Sequence, residues 1–368
     1  MDLRPSPAQQ LLVATAREYL RRHCPIELVQ ELAVDERGFP DKLWRGMAEL
    51  GWPGLLVPGD LGGSDGTLLD VTLLVEELGH ACVPGPFVAS AVAATSVLLA
   101  AGAAHRKRVL PALAGGDRIA TLALVEERGS FDADTLTLEV AGSRLTGRKL
   151  FVKDAHVADD LVVVLREGAL LLPVDRAGIA RWPLATLSDE RVFEVVFDGV
   201  EVRDDDRLPV GRGAIAMALE AGALARTAEM VGAAQRILEM TVEHAKTRVQ
   251  GGRPIGGHQA IQHACADLVR DVDCARGLLY ATAWRLTGEG AYGFAWESAS
   301  ADVAMAKAYA GEACLNVARR AHQIFGAISY CAEHPLHLLH KRIQAASLDF
   351  GDAALHLERV ASAIGLQR

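Results

Sequence analysis

Aromatic side chains are scarce, at 5% of the 368 residues, and only six cysteines are present. The six, Cys24, Cys82, Cys265, Cys274, Cys314 and Cys331, include no C-x-x-C pair. That spacing argues against a zinc ribbon or a dithiol motif and reads as buried free thiols in a reducing compartment. Long apolar runs are missing as well. The most apolar stretch, residues 89–101, is rich in alanine and falls short of the ~20 residues that span a bilayer. The opening MDLRPSPAQQ has no apolar core of a signal peptide. Basic charge is in deficit: 38 Lys and Arg stand against 47 Asp and Glu, a formal net charge of −9. A nucleic-acid face is therefore not expected, although one local basic patch could still hold a nucleotide. No G-x-G-x-x-G opens a βαβ unit, so a Rossmann site for NAD is not supported. These absences describe a soluble cytoplasmic protein.

What is present is a change of hydrophobic period along the chain. Apolar spacing predicts helices over 10–20, 39–50, 69–79, 88–101 and 105–113. Glu76 and Glu77 close the third of these, and at least one is expected at a solvated helix end. From about 118 to 203 the period becomes two. ATLALVEE, TLTLEVAG, LTGRKLFV, DLVVVLRE, ALLLPVD and RVFEVVFDGVEV are β-branched or alternating runs split by Gly, Asp and Ser. They predict a compact antiparallel barrel or sandwich. Helical spacing returns over 214–248, 257–288, 295–326 and 335–363, with small-residue faces that permit close packing. The expected fold is α+β and multidomain: an N-terminal helical domain (1–115), a middle antiparallel β-domain (116–207) and a C-terminal four-helix bundle (208–368).

Chemistry concentrates in TVEHAKTRVQGGRPIGGHQAIQHACAD, residues 241–267. A helix ends on Lys246 and Arg248, where cations suit the carbonyl end of its dipole. Gly251, Gly252 and Pro254 stop it, and a new helix follows. Guanidinium groups, Gln250 and bare glycine backbone in one turn suit a diphosphate. An ordinary turn with solvated charges explains the same residues and is the reading composition alone favours.

The stretch RVQGGRPIGGHQAIQ resembles the R-x-Q-F-G-x-P-I-x-x-F-Q-x-I-Q segment of the acyl-CoA dehydrogenase family, with Gly251 where Phe is usual and His258 where Phe or His is found. LWRGMAELGWPGLLVPGDLGGSDGTLLDVTLLVEELG is similar to the family's N-terminal pattern. GRKLFVKDAHVADDLVVV resembles its G-x-K strand pair. AHQIFGAISYCAEHPLH resembles its Q-x-x-G-G segment, with Ala327 for the second Gly. The resemblance spans nearly the whole chain and implies the three-part fold, bound FAD and an acyl-CoA substrate. It further implies an electron-transfer acceptor and an oligomer in which turns serve a neighbour's flavin. Carried over by position, it places Arg248, Gln250, His258, Gln323 and Gly326 on the cofactor. Phe151, Val152 and Lys153 fall at the flavin ring, where a plain core Phe is the competing reading for Phe151. Ser130 belongs to a loop, VEERGSFD, that is shorter than the family's T-E-P-x-x-G-S-D and lacks its Thr and Pro.

The family's reaction is α,β-desaturation of the thioester: a carboxylate takes the α-proton and the β-hydrogen leaves as hydride to flavin N5. At the usual Glu position this chain has Gly351, with Asp352 one step later. Glu220 is the nearest carboxylate at the other place where members carry the base, and Asp349 lies close by. For Glu220, Asp349 and Asp352 taken singly, a solvated or capping role competes with catalysis. Two functions follow. One is an FAD-dependent acyl-CoA dehydrogenase with an atypical base. The alternative is a non-catalytic subunit that completes the flavin site in a heteromer with a paralogue. His334, His337 and His340 lack the further donors that a metal site requires, so no metal is expected.

Overall fold

A computed structural model describes residues 3–287 and 296–366. In chain order the helices of the first third are α1 (Pro7–His23), α2 (Ile26–Val34), α3 (Asp41–Glu49) and α4 (Leu68–His80). A π-helical stretch, Val88–Ala94, runs into α5 (Thr95–Leu99), and α6 is Ala103–Ala114. Strands β1 (Ala120–Ala123), β2 (Val140–Ala141), β3 (Arg144–Lys153), β4 (Asp160–Val164), β5 (Ala169–Pro173), β6 (Ile179–Leu184), β7 (Val192–Glu201) and β8 (Arg207–Leu208) follow. Then come α7 (Arg212–Thr247), a hairpin of β9 (Val249–Gln250) and β10 (Arg253–Pro254), α8 (Gln259–Leu286), α9 (Trp296–Phe325), α10 (Leu336–Leu348) and α11 (Ala353–Ala363). The expected helix end at Gly288 and start at Ala295 lie outside the described residues. No described helix is long and apolar enough to cross a membrane.

The chain divides into two compact units. One comprises Met1–Glu31, Leu68–Val83 and Ala223–Arg368; the other comprises Leu32–Thr67 and Pro84–Gly222. In the second unit the strands form two open four-stranded sheets, ordered β1-β4-β5-β8 and β2-β3-β7-β6. Leu161, Val163, Leu170 and Leu172 from the first sheet share one buried core with Leu145, Val152, Val195 and Phe197 from the second. This is a sandwich, so the barrel alternative is not what forms. The sheets are also not wholly antiparallel, because β1 pairs parallel with β4. Between them the chain passes through β2 and β3 of the other sheet, which is long enough to return in the same direction.

Two strands depart from the sequence pattern for local reasons. β6 lies at a sheet edge, where Pro183 removes no ladder bond that matters; its proline and flanking Gly178 hide it from a propensity reading. TLTLEVAG yields only the two residues of β2. The amides of Thr137 and Leu138 donate instead to the Glu126 carboxylate, at 2.8 and 3.0 Å, so a side chain has taken what a ladder would use.

In the first unit α1 begins at a capping box formed by Ser6 and Gln9. α4 and α7 cross backbone to backbone. A Cβ on Gly232 would lie 1.9 Å from the Glu76 carbonyl oxygen, and one on Gly79 would lie 2.2 Å from that of Glu229. Glu76 and Glu77 are both buried, so neither is a solvated helix end. Glu76 accepts from Arg276 Nε at 2.8 Å and from the Tyr280 hydroxyl at 2.7 Å. Glu77 accepts from Arg17 at 2.6 and 3.0 Å. The fourth bundle helix, expected unbroken over 335–363, is two helices. Phe350 and Gly351 have φ of 58° and 105°, which a helix cannot contain, and Asp352 caps the next start. Of the cysteines, Cys24, Cys82 and Cys314 are buried, but Cys274 and Cys331 are exposed.

The α4–α7 crossing makes a direct prediction. Gly232→Ala should destabilise the fold by about 3 kcal/mol, because the neighbouring atom is backbone and cannot turn aside. Urea unfolding measures this; a midpoint equal to wild type would show that the helices do not pack this closely.

Candidate functional site

The turn after α7 folds as a two-residue hairpin. Gln250 pairs with Arg253, and Gly251 and Gly252 both take positive φ, 62° and 79°. That is the geometry of the tightest hairpins, which two glycines adopt without cost from a Cβ. The Ile255 amide donates to the Arg248 carbonyl at 2.8 Å, and Gln262 Nε2 donates to the Gly256 carbonyl at 3.0 Å. Arg253 Nη2 lies 3.0 Å from His258 Nδ1. Arg248, Gln250 and Arg253 are exposed, and His258 is half-buried.

The second motif sits at the end of α9. Gln323 and Gly326 are exposed, and Gly326 turns the chain with φ of 71°. Beneath it the Ser329 hydroxyl donates to the Gly326 carbonyl at 2.8 Å. His322 Nδ1 lies 2.8 Å from the same hydroxyl. His322 is buried and stacks on Tyr330 at 4.6 Å, with His340 at 5.1 Å. Burial pushes its imidazole down to about 4, and His340, His334 and His337 add to the effect. The His244 ring stacks on Phe325 at 4.3 Å. His244 lies one turn before Arg248, so both motifs, distant in sequence, come to one end of the bundle. His334, His337 and His340 are half-buried, and His334 packs edge-on to Phe325. Among the described residues no group of three or more His, Cys, Asp or Glu is placed to hold a metal ion.

Within the second unit, β3 carries a bulge between Lys149 and Val152. Phe151 sits in it with φ of 56° and is 51% exposed, so the core reading of this ring does not hold. A bulky residue held at positive φ and turned outward is strained and marks a candidate site. Val152 sends its side chain into the sandwich core. Lys153 Nζ pairs with Glu190 at 2.9 Å, and its carbonyl accepts from Thr121 Oγ1 at 2.6 Å. Ser130 is half-buried, and its hydroxyl accepts from the Asp132 amide at 3.0 Å.

The turn at 349–352 is the least expected feature. Gly351 is buried, and a Cβ there would lie 2.7 Å from Leu355 Cδ2 and 2.9 Å from His356 Nε2. Lys307, 1% exposed, reaches in from α9 and donates to the carbonyls of Ser347 at 2.9 Å and Gly351 at 3.0 Å. Burial pushes its amine down to about 8, with Asp349 opposing. Beside it lies a buried ion network. Arg226 pairs with Glu229 at 2.5 Å and with Asp349 at 3.0 Å. Arg342 Nη1 donates to Glu229 at 2.9 Å and to the Val83 carbonyl at 3.0 Å. Asp352 is exposed and accepts from the Leu355 amide at 2.9 Å as a helix cap. Glu220 is half-buried near the start of α7. Sequence reasoning missed this network. The available signal was charge on otherwise small, apolar helical faces, as in ALARTAEMVG and AMAKAYAGEA.

Comparison with known proteins adds to this geometry. Residues 6–117 match the model of the acyl-CoA dehydrogenase N-terminal domain, and residues 210–365 match that of the C-terminal domain. Acyl-CoA dehydrogenase IpdE2 of Mycobacterium tuberculosis is 30% identical over 351 residues, covering 93% of each chain. Acyl-CoA dehydrogenase FadE27 of the same organism is 31% identical over 367 residues, covering 98% of each. Among solved structures, the ChsE4-ChsE5 complex from Mycobacterium tuberculosis superposes with a TM-score of 0.90 at 28% identity, covering 100% of both chains. Helical parts before and after a β-sandwich, matched at both ends by these family models, are those of a family of flavoprotein oxidoreductases of lipid metabolism. The chain belongs to the acyl-CoA dehydrogenase family.

The neutral His322 gives a pH prediction. A histidine held below its ordinary value of 6.5 stabilises the fold above that value, and the contribution is lost as pH falls from there toward about 4. Melting temperature should therefore drop between pH 7 and pH 5, less steeply in His322→Gln. Equal slopes would mean that the Gly326 turn does not depend on the neutral ring.

Proposed function

We propose that this chain works in the flavin-dependent α,β-desaturation of an acyl-CoA thioester, with 1–115, 116–207 and 208–368 as its three functional parts. In this reading it completes the flavin site in an assembly whose α-proton acceptor comes from a paralogous chain. The observation that carries the reading is the 349–352 turn. Gly351 is buried at φ of 105°, with the Leu355 and His356 side chains 2.7 and 2.9 Å from where a Cβ would sit, and Lys307 takes its carbonyl. A proton acceptor must turn a lone pair toward the α-carbon in a water-poor pocket. Both oxygens of Glu229 and Oδ2 of Asp349 face guanidinium groups instead, and Asp352 caps a helix.

The residues present fit FAD by their donor chemistry. Arg248, Gln250 and Gln323 are exposed at one bundle end beside the bare backbone of Gly326, a set that suits a diphosphate. His258 steadies the hairpin from inside through Arg253. Phe151 presents an apolar ring outward for an isoalloxazine, with the backbone of Val152 and Lys153 beside it in β3 and Ser130 as a further contact from its loop. FAD, when bound, would supply the hydride acceptor, and an external electron acceptor is the partner this reading expects. The chain's own tasks are to hold the diphosphate, shield the ring and exclude water. Support for an assembly of two different chains comes from a relative: the ChsE4-ChsE5 structure is, by its own description, a complex.

A second reading keeps the chain catalytically self-sufficient. Glu220, half-buried on α7, favours it, being near the place where other members carry their base. The variants separate the readings. Arg248→Ala should weaken flavin retention about tenfold or more, through loss of a charged hydrogen bond; flavin content per chain measures it, and unchanged occupancy counts against the assignment. Glu220→Gln should leave turnover of the assembly intact, whereas abolished turnover with flavin retained would favour the self-sufficient chain.

A further inference from the structure

Lys149 in β3 is fully buried, an expensive place for an ammonium without partners. Its Nζ donates to the Leu124 carbonyl at 2.9 Å and to Glu126 Oε1 at 2.8 Å. Glu126 is in turn a junction. Besides Lys149, its oxygens accept from the Thr137 amide at 2.8 Å, the Thr137 hydroxyl at 2.6 Å and the Leu138 amide at 3.0 Å. Burial alone would raise this carboxyl, but the Lys149 ammonium and the hydroxyl and amide donors bring it down to about 2. One carboxylate thus closes the loop that carries Gly129 and Ser130. The next residues repeat the arrangement on the outer face, where Arg148 pairs with Glu127 at 2.6 Å and with Glu194 at 3.1 Å. Successive strand residues point to opposite faces, so the loop is gripped from within and without by two neighbours in β3. Immediately after Lys149 comes the bulge. The Leu150 amide donates to the Val125 carbonyl at 2.7 Å, and Phe151 follows at positive φ.

We propose that Glu126 and Lys149 are a positioning pair that makes the 127–138 loop and the Phe151 bulge one mechanical body. Neither residue touches the ligand. The loop has no proline and no ladder of its own over 127–139. Arg212 on Asp134, the Arg166 amide on the Leu138 carbonyl and buried Leu136 and Leu138 hold its far end. At its start the tie to β3 is Glu126 with Glu127. The bulge is strained and needs its neighbours fixed to persist. The pair answers both needs with one buried contact. Its use in setting the ring-facing surface rests on the flavin reading above; the mechanical coupling does not.

Hydrogen exchange on the full chain tests the coupling without any ligand. Perturbation from the loop side should be felt at the bulge. Thr137→Val removes one bond from an exposed loop residue, and Glu126→Gln removes the charge. In both, amides of 127–138 and of Leu150 to Val152 should exchange faster together, by about tenfold in Glu126→Gln and less in Thr137→Val. Acceleration confined to 127–138, with Leu150 to Val152 at wild-type rates, overturns the proposal. If Glu126→Gln fails to fold, Thr137→Val alone decides. In flavin-loaded protein, Glu126→Gln should also shift the visible flavin band while Glu127→Gln should not. A wild-type chain that takes no flavin in any assembly would refute the flavin reading and leave the exchange result standing.

Discussion

Lys307 and the ion network beside it are the constraint on which the carboxy-terminal half depends. A buried ammonium tolerates its site only if its protons are used, and the carbonyls of Ser347 and Gly351 use two of them. That demand fixes where α10 stops and how the chain turns into α11. Arg226, Glu229, Arg342 and Asp349 then tie α7 to α10 and the turn after it. Removing one partner of such a network typically costs about 3–5 kcal/mol, which is a large share of a domain's whole stability. The network therefore holds the turn with Gly351 buried and its carbonyl taken by Lys307.

Under the proposed reading, the same constraint separates cofactor binding from proton abstraction. Hairpin and α9 turn keep cationic and amide groups exposed at one bundle end, linked through the stacked rings of His244 and Phe325. In the other unit, the strained Phe151 bulge keeps an apolar ring outward. In the proposed reading these are the binding features, and the 349–352 turn, held by structural charge, supplies no base. Binding groups and base need not share a chain if two chains share a site, and the separation costs each chain nothing in its own fold.

Much of this was legible in the sequence, and what was not has local causes. The change of period near residue 118 gave the helix–sheet–helix order, and the Gly251–Gly252 pair gave a tight turn. The break at Phe350–Gly351 was hidden inside continuous helical spacing, because a single glycine does not interrupt an apolar face. β2 was overstated because the donors of Thr137 and Leu138 go to Glu126, a partner eleven and twelve residues away. The network was invisible because Arg342 and Glu229 lie 113 positions apart, and no periodicity records such a pairing. Glu76 and Glu77 looked like a polar helix end and are buried, since Arg17 and Arg276 come from other helices to meet them.

The central claim is that this chain carries cofactor contacts but no α-proton acceptor. Its most direct test is exchange of the α-hydrogens of an acyl-CoA thioester in deuterium oxide, followed by mass spectrometry, with the isolated flavin-loaded chain and with its assembly. The account predicts deuterium incorporation only in the assembly. Incorporation by the isolated chain above the protein-free rate would contradict it.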